Sequence, residues 1–412
     1  MEQSKDVKYL VMVDPADNHN KFYRMIYVHG ESFFHVEYGR VGARAMKRKY
    51  PISSWSEKYQ EKIAKGYCDQ SDMITVNVSS SNGHGEFADI EDPESSYFVA
   101  RLLAWAGEHI KKNYSISVSS VTPQMVVKAQ NIINTLRLLN DTSSFNNQLN
   151  ALFTVLPRKM TKVSDFLCKS TTEFDQIIDR EQKLLDVMAA EVDTSICQSQ
   201  SSKQGDNILA AFGLDMRPVT DKEMKEIKDH LGSASDKVVR AFYVRNNKTE
   251  ERFQRYCKEH HIEKTKFLYH GSMNENFWNI YKTGLVLRSG AKQAGKMFGI
   301  GLYFASVPKK SLRYTSLRGC NNIHGNTGNT GVLAVFKVAT GNAKHISVWS
   351  SEMSSYTERD MENFGTNSVY AHKGASLIND EMIVYNEAAC TIRYMIEVCS
   401  SILIAAFMRE SE

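Results

Sequence analysis

The spacing of hydrophobic residues changes twice along this chain, and a single fold class cannot accommodate both changes. From residue 1 to about 78 the pattern is β-rich. Tyr9-Leu10-Val11-Met12-Val13, Lys21-Phe22-Tyr23-Arg24-Met25-Ile26-Tyr27 and Ser32-Phe33-Phe34-His35-Val36-Glu37-Tyr38 are β-branched and aromatic runs separated by turn residues. Ser53, Ser54 and Trp55 lead into a short helix with Tyr59 and Ile63 on one face, ended by Gly66. From 95 to about 195 the period becomes helical. Phe98, Leu102, Leu103 and Trp105 open this stretch, and Thr122-Pro123 forms an N-cap and first-turn pair. Met125, Ala129, Ile132, Ile133, Leu136 and Leu139 make one stripe; Phe174, Ile177, Ile178, Leu184, Leu185 and Met188 make another. No inward-facing ligand set interrupts either, so both read as bundle core. Strands then return, most clearly at Lys266-Phe267-Leu268-Tyr269 and Gly331 to Val338, with a short helix over Asn274 to Lys282. Polar stretches at 79–86 and Gln198 to Asn207 read as linkers. The fold class is α+β and multidomain: a small β-rich domain (1–78), an all-α helical bundle (90–200) and a mixed, mostly antiparallel β domain (208–412).

A length of 412 residues agrees with two or three domains. The net charge of +4 is too small to demand a nucleic-acid partner, so any basic surface must be local. Seven scattered cysteines with no C-x-x-C pair argue against a disulfide framework and against a zinc site, and fit a reducing compartment. The polar start and the lack of any apolar run near 18 residues predict an intracellular protein with no membrane partner. The apolar run Ile402 to Met408 reads as a packed terminal element.

Three segments of the last third carry chemistry: Tyr269-His270-Gly271-Ser272, Gly299 to Ser306, and Asn379 to Tyr385. Singly, His270 and Tyr303 read as core residues. Glu381, in an acidic pair with Asp380 before Met382-Ile383-Val384-Tyr385, needs a partner or a role near buried strand residues. Jointly they can grip a nucleotide, stack a heteroaromatic ring and polarise a sugar hydroxyl. Gly290 to Lys296 nearly spells a P-loop, but Met297 stands where Ser or Thr would hold magnesium, and a flexible loop is the better reading. Gly299-x-Gly301 lacks the third glycine of a dinucleotide fingerprint. Arg44, Lys47, Arg48 and Lys49 cluster past Gly39-Arg40-Val41-Gly42; they are either a solvated loop or phosphate contacts with Tyr38 or Trp55 as a stacking surface.

These residues resemble the poly(ADP-ribose) polymerase catalytic domain. That family carries a His-Gly-Ser, a Gly-x-x-Phe-Gly-x-Gly-x-Tyr-Phe-Ala and an Asn-Glu-Tyr-Ile-Val-Tyr segment in this order. Here they stand as His270-Gly271-Ser272, Gly295 through Ser306 and Asp380 to Tyr385, and Lys309 to Tyr314 is similar to the family's Lys-Ser-x-x-Tyr stretch. The helical part resembles the family's autoinhibitory regulatory domain through Phe145, Leu149, Leu152, Phe153, Leu156-Pro157 and Leu184 to Val187. The N-terminal part resembles a WGR domain with Tyr38 in place of the Trp and Gly39, Arg40, Val41 and Gly42 intact. Asn379-Asp380-Glu381-Met382 differs from the family's common Tyr-Asn-Glu-Tyr at three of four places and keeps the Glu.

The resemblance implies an ADP-ribosyltransferase fold and NAD as co-substrate, with no metal. His270 would hold the adenine-side ribose, with Ser272 beside it. The Gly271 backbone and Ser311 hydroxyl would hold the nicotinamide carboxamide. Tyr303 and Tyr314 would sandwich the nicotinamide ring, and Glu381 would bind the nicotinamide-ribose 2′-OH and assist the acceptor. Tyr38, Arg40, Arg44, Lys47, Arg48 and Trp55 would contact DNA. The expected partners are broken or nicked DNA and protein acceptors including the chain itself, the expected state is a monomer, and the expected compartment is the nucleus in a eukaryote or the cytoplasm and nucleoid in a bacterium. The expected activity is poly(ADP-ribose) formation switched on by DNA breaks. Single-unit transfer without DNA control and a catalytically silent DNA-break-binding protein are the alternatives.

Overall fold

The computed structural model describes residues 5–71, 87–201, 205–287, 297–317, 328–374 and 376–400. The linker expected at 79–86, the near-P-loop at 290–296 and the apolar run at 402–408 lie outside the described residues. Contacts divide the chain into two compact units: Met1–Gly85 with Gly107–Gln200, and Glu86–Ala106 with Ser201–Glu412. Among the described residues no helix is long and apolar enough to cross a membrane.

In the first unit, strands β1 (Lys5–Asp14), β2 (His19–Val28), β3 (Phe33–Arg40), β4 (Met46–Pro51) and β5 (Cys68–Asp69) form an antiparallel sheet in the order β4-β3-β2-β1-β5. Alternation buries Leu10, Tyr23, Met25, Phe34 and Val36 on one face, and the Trp55–Ala64 helix packs Trp55, Tyr59 and Ile63 against them. The expected β-rich domain is therefore present, with the predicted helix closing its core. The helical part of this unit begins where the sequence signals it. Thr122 accepts from the Met125 backbone N–H at 3.3 Å and Pro123 opens the Pro123–Leu136 helix. Asp141 caps Thr142–Val155 in the same way, through Ser144. Phe145 and Phe174 stack at 3.9 Å and 6°, joining that helix to Phe174–Ser201. Arg158 and Glu181, both nearly fully buried, pair at 2.5 Å inside this bundle. The linker expected from Gln198 is shorter than its composition suggests, because Phe174–Ser201 carries helix through Ser201.

The second unit is built on a nine-stranded sheet. Its strands are β6 (Leu214–Pro218), β7 (Val238–Asn246), β8 (Thr265–Gly271), β9 (Leu302–Ala305), β10 (Thr330–Ala339), β11 (Ala343–Ile346), β12 (Ser368–Ala371), β13 (Glu381–Val384) and β14 (Cys390–Cys399). The order is β11-β12-β13-β9-β8-β10-β14-β7-β6, and every pairing is antiparallel except β11 with β12. β10 is buried almost throughout, which explains why its sequence is a continuous apolar run rather than an alternating one. The Pro93–Asn113 helix starts in this unit: Phe98 stacks on Phe242 at 4.6 Å, and Arg101 and Arg240 both pair with the buried carboxylate of Glu397. The stretch from Tyr356 to Lys373 holds the Glu358–Phe364 helix and β12. A capping box between Thr357 and Asp360 starts that helix.

Candidate active site

Three neighbouring strands bring the three sequence segments together. β13 lies between β12 and β9, and β9 touches β8 where Tyr269 faces Ala305. Glu381 is the first residue of β13, opposite Ala305 on one side and Ala371 on the other. Two residues on, Ile383 faces Tyr303. His270, near the end of β8, sets its Nδ1 3.2 Å from the Tyr303 carbonyl oxygen. A carbonyl only accepts, so Nδ1 carries the hydrogen in this contact.

Tyr303 is pinned through its hydroxyl, which donates to the Gly299 carbonyl at 2.8 Å and accepts from the Phe298 N–H at 3.1 Å. Burial pushes this phenol well above its ordinary value, and the Glu381 charge adds to the effect. Gly299 makes this clamp possible. Its φ is +79°, and a Cβ there would lie 2.0 Å from the Tyr356 carbonyl oxygen. Gly271 is the second enforced glycine: a Cβ would lie 1.9 Å from the Ser311 carbonyl oxygen and 3.3 Å from the Tyr314 Cβ. The end of β8 thus lies directly against the turn that carries Ser311 and Tyr314. Ser311 is buried in the Pro308–Leu312 helix and its hydroxyl donates to the Tyr269 carbonyl at 3.0 Å. Tyr314 is 38% exposed, and burial followed by the Glu381 charge raises its phenol. Both tyrosines therefore lie within electrostatic reach of the same carboxylate. Ser272 is joined to Asn276, whose side-chain N–H donates to its hydroxyl at 2.9 Å.

Sequence reasoning missed the partner of Glu381. Lys310, one residue before Ser311, places Nζ 2.5 Å from Glu381 Oε1 and 3.3 Å from the Asn379 carbonyl oxygen. Both side chains of the ion pair are nearly buried, at 11% and 12% exposure. Lys310 was legible as the Lys of the Lys-Ser-x-x-Tyr stretch, but not its pairing with Glu381, which is distant in sequence.

The residues expected at DNA do not form one patch. Tyr38, on β3, lies against Tyr23 at 6.0 Å, with the Arg48 guanidinium 5.8 Å from its ring, so these two do come together. Lys47 faces Glu37, which it pairs at 2.9 Å, on the other side of the β3–β4 ribbon from Arg48. Arg44 is exposed beyond β3. Trp55 packs edge-on against Phe34 at 5.0 Å in the core beneath the sheet. Arg40 donates to the carbonyl oxygens of Asn18 (2.9 Å), Met160 (3.1 Å) and Thr161 (2.8 Å), which ties the sheet to the segment before the last helix of its unit.

Comparison with known proteins agrees with this geometry. Residues 220–400 match the poly(ADP-ribose) polymerase catalytic domain and residues 7–73 match the WGR domain. A putative poly(ADP-ribose) polymerase-like protein of Invertebrate iridescent virus 6 is 30% identical, with 43% of this chain and 93% of the viral protein aligned. Poly(ADP-ribose) polymerase 2-A of Oryza sativa is 24% identical over 93% of this chain and 68% of its own length. Poly(ADP-ribose) polymerase 2-B of the same plant is 25% identical over 72% of this chain and 53% of its own length. With its WGR domain, helical region and catalytic sheet in that order, the chain belongs to the poly(ADP-ribose) polymerase family of NAD-dependent ADP-ribosyltransferases.

Proposed function

We propose that this chain transfers ADP-ribose from NAD to protein acceptors including itself, extends it into polymer, and is switched on by broken or nicked DNA. The carrying observation is Glu381 at the head of β13, held by Lys310 and sharing its surroundings with Tyr303 and Tyr314. These side chains suit a nicotinamide ribotide. Tyr303 is fixed at its hydroxyl, and Tyr314 is partly exposed beside the Gly271 backbone. The two rings hold the leaving base in line. The Gly271 backbone and the Ser311 hydroxyl orient its carboxamide. His270 hydrogen-bonds the adenine-side ribose.

Cleaving the bond to nicotinamide leaves positive charge on the ribose. Glu381, hydrogen-bonded to the neighbouring 2′-hydroxyl, stabilises that charge as a carboxylate does in glycoside hydrolysis. The same carboxylate then takes the proton of the attacking acceptor oxygen. Its ammonium partner keeps it aimed. None of these steps calls on a metal.

DNA control is read from the WGR domain and from the polymerase-2 proteins that match most of the chain. Binding of a broken end by the first sheet loosens the restraint that the helical region exerts on NAD entry, a two-state coupling. Asn379, Asp380 and Met382 depart from the family's usual residues beside the Glu and favour single-unit transfer as the second reading.

The test is a labelled-NAD assay with and without nicked, 5′-phosphorylated DNA, resolved on a gel. The expected result is a DNA-dependent ladder that Glu381→Gln reduces by about 10²–10³-fold. A discrete single-unit band would replace the polymer reading by the second one. Equal NAD consumption with and without DNA would overturn the activation, and a Glu381→Gln protein with wild-type turnover would overturn the role of Glu381.

A further inference from the structure

One residue beyond the strand partner of Glu381 lies a pair of imidazoles that the transfer reaction does not use. His345, on edge strand β11, and His372, just past the end of β12, set Nδ1 and Nε2 2.8 Å apart, with their rings 5.0 Å apart and 28° from parallel. The parallel β11–β12 ladder fixes this approach. His345 faces Tyr370 in register, and the His372 backbone N–H donates to the Ile346 carbonyl at 2.8 Å. The Tyr370 ring walls the pair, lying 5.3 Å from His345 and 4.8 Å from His372. Its hydroxyl is committed elsewhere, donating to Asp380 at 2.6 Å.

We infer that His345 and His372 form a chelating site for a borderline transition cation of the zinc class, and that its occupancy slows ADP-ribose transfer. Two nitrogens in contact share one hydrogen, since one must donate and the other accept. A cation bonds to both nitrogens once that hydrogen has moved to the other nitrogen of its own ring. Tetrahedral zinc with two imidazole nitrogens at about 2.0–2.1 Å holds them about 3.3 Å apart, so the pair need open by only about half an ångström. His345 is exposed on the edge strand, which leaves room for water to complete the shell.

The donor set selects the ion. Among the described residues Asp380 is the carboxylate attached to the cluster, through the Tyr370 hydroxyl. Two imidazole nitrogens do not suit magnesium or calcium, which are held by oxygen ligands. Zinc, copper(II) and nickel(II) bond to imidazole.

The link to the transfer reaction is short, and this part rests on the role proposed for Glu381. Ala371 faces Glu381 across the β12–β13 ladder, and His372 follows Ala371. Asp380, which precedes Glu381, accepts from the Tyr370 hydroxyl and from the Lys373 N–H at 2.7 Å. A cation that opens the pair and pushes His372 away from β11 therefore acts on both neighbours of the carboxylate.

Zinc is titrated into the chelator-stripped full chain by calorimetry, and cobalt(II) is substituted to read coordination by its visible absorption. The variants are His345→Ala, His372→Ala and the double change. His19→Ala serves as the control, because Asp14, Asp17 and His19 cluster at an exposed hairpin. We expect one zinc ion whose affinity falls at least about tenfold in either single variant and is unmoved in the control. We expect zinc to lower wild-type transfer, chelator to restore it and His372→Ala to be insensitive. Binding that survives the double change, or that vanishes in the control, overturns the site. Binding at the pair with undiminished transfer overturns its regulatory effect. If no transfer is detected in any protein, the calorimetry and the cobalt spectrum still decide the site.

Discussion

Lys310 holds Glu381: the ammonium lies 2.5 Å from Oε1, and the same nitrogen also reaches the carbonyl of Asn379, two residues before the carboxylate. One cation thus fixes both the side chain and the approach of its strand. Lys310→Met removes a charge-assisted bond worth about 1.5–3 kcal/mol. If that stabilisation is felt in the transition state, kcat falls by about 10–100-fold with little change in the KM for NAD. Lys310→Arg should restore part of the rate. Steady-state NAD consumption by the three proteins measures this.

Gly271→Ala tests whether the end of β8 and the Ser311–Tyr314 turn must touch. The new methyl meets a backbone oxygen that cannot rotate away. We expect a loss of about 1–3 kcal/mol from overpacking. We also expect loss of affinity for nicotinamide, since strand and turn must separate. Thermal melting gives the first and the inhibition constant of free nicotinamide gives the second.

Arg40 separates architecture from DNA recognition. Arg40→Ala leaves three carbonyl groups without their charged donor, with an expected cost of about 1.5–3 kcal/mol in denaturant unfolding. The slope of log affinity for nicked DNA against log salt should stay unchanged. Arg48→Ala should do the reverse, with stability held and the slope reduced by about one unit.

Glu223 supplies a pH-dependent contribution. Arg217, followed by the Thr220 N–H and hydroxyl, holds its carboxyl down at about 2, against an ordinary value of 4.5. A depressed folded-state value means the stabilisation is complete above the unfolded value and is lost as pH falls toward the folded one. Glu223→Gln should therefore lower the melting temperature by a constant amount above about pH 5, and by a shrinking amount from there toward pH 2. Equal melting shifts across that range would show that the Arg217 pair contributes nothing.

The helical region was the most legible part of the chain, because caps and stripes are local. Thr122-Pro123 and the stripe from Met125 to Leu136 specify a helix within a few turns of sequence. The helices Asp221–Leu231 and Asn247–Glu259 went unread: each is mostly charged, and the second buries little beyond Thr249, Glu250, Phe253 and Tyr256. The Thr220-x-x-Glu223 capping box was the one available signal for the first. Among candidate site residues, His270, Tyr303 and Glu381 stood out because their three segments occur together and in order. Lys310, His345 and His372 act through partners on other strands, and no spacing rule reports those. The cations around Arg48 could be read as a cluster but not sorted, since only the β3–β4 register shows which face each one takes.

The placement of Glu381 between two strands has a consequence for engineering. Its backbone is held by ladders to Ala305 and Ala371, and neither ladder depends on the side chains of Asn379, Asp380 or Met382. Asn379 meets Lys310 through its carbonyl rather than its side chain, so of these three positions it is the one that can be exchanged with the carboxylate left in place; Asp380 accepts from Tyr370 and from the Lys373 N–H, and Met382 is buried. A variant at Asn379 is therefore the handle for changing the approach to Glu381 separately from the carboxylate itself.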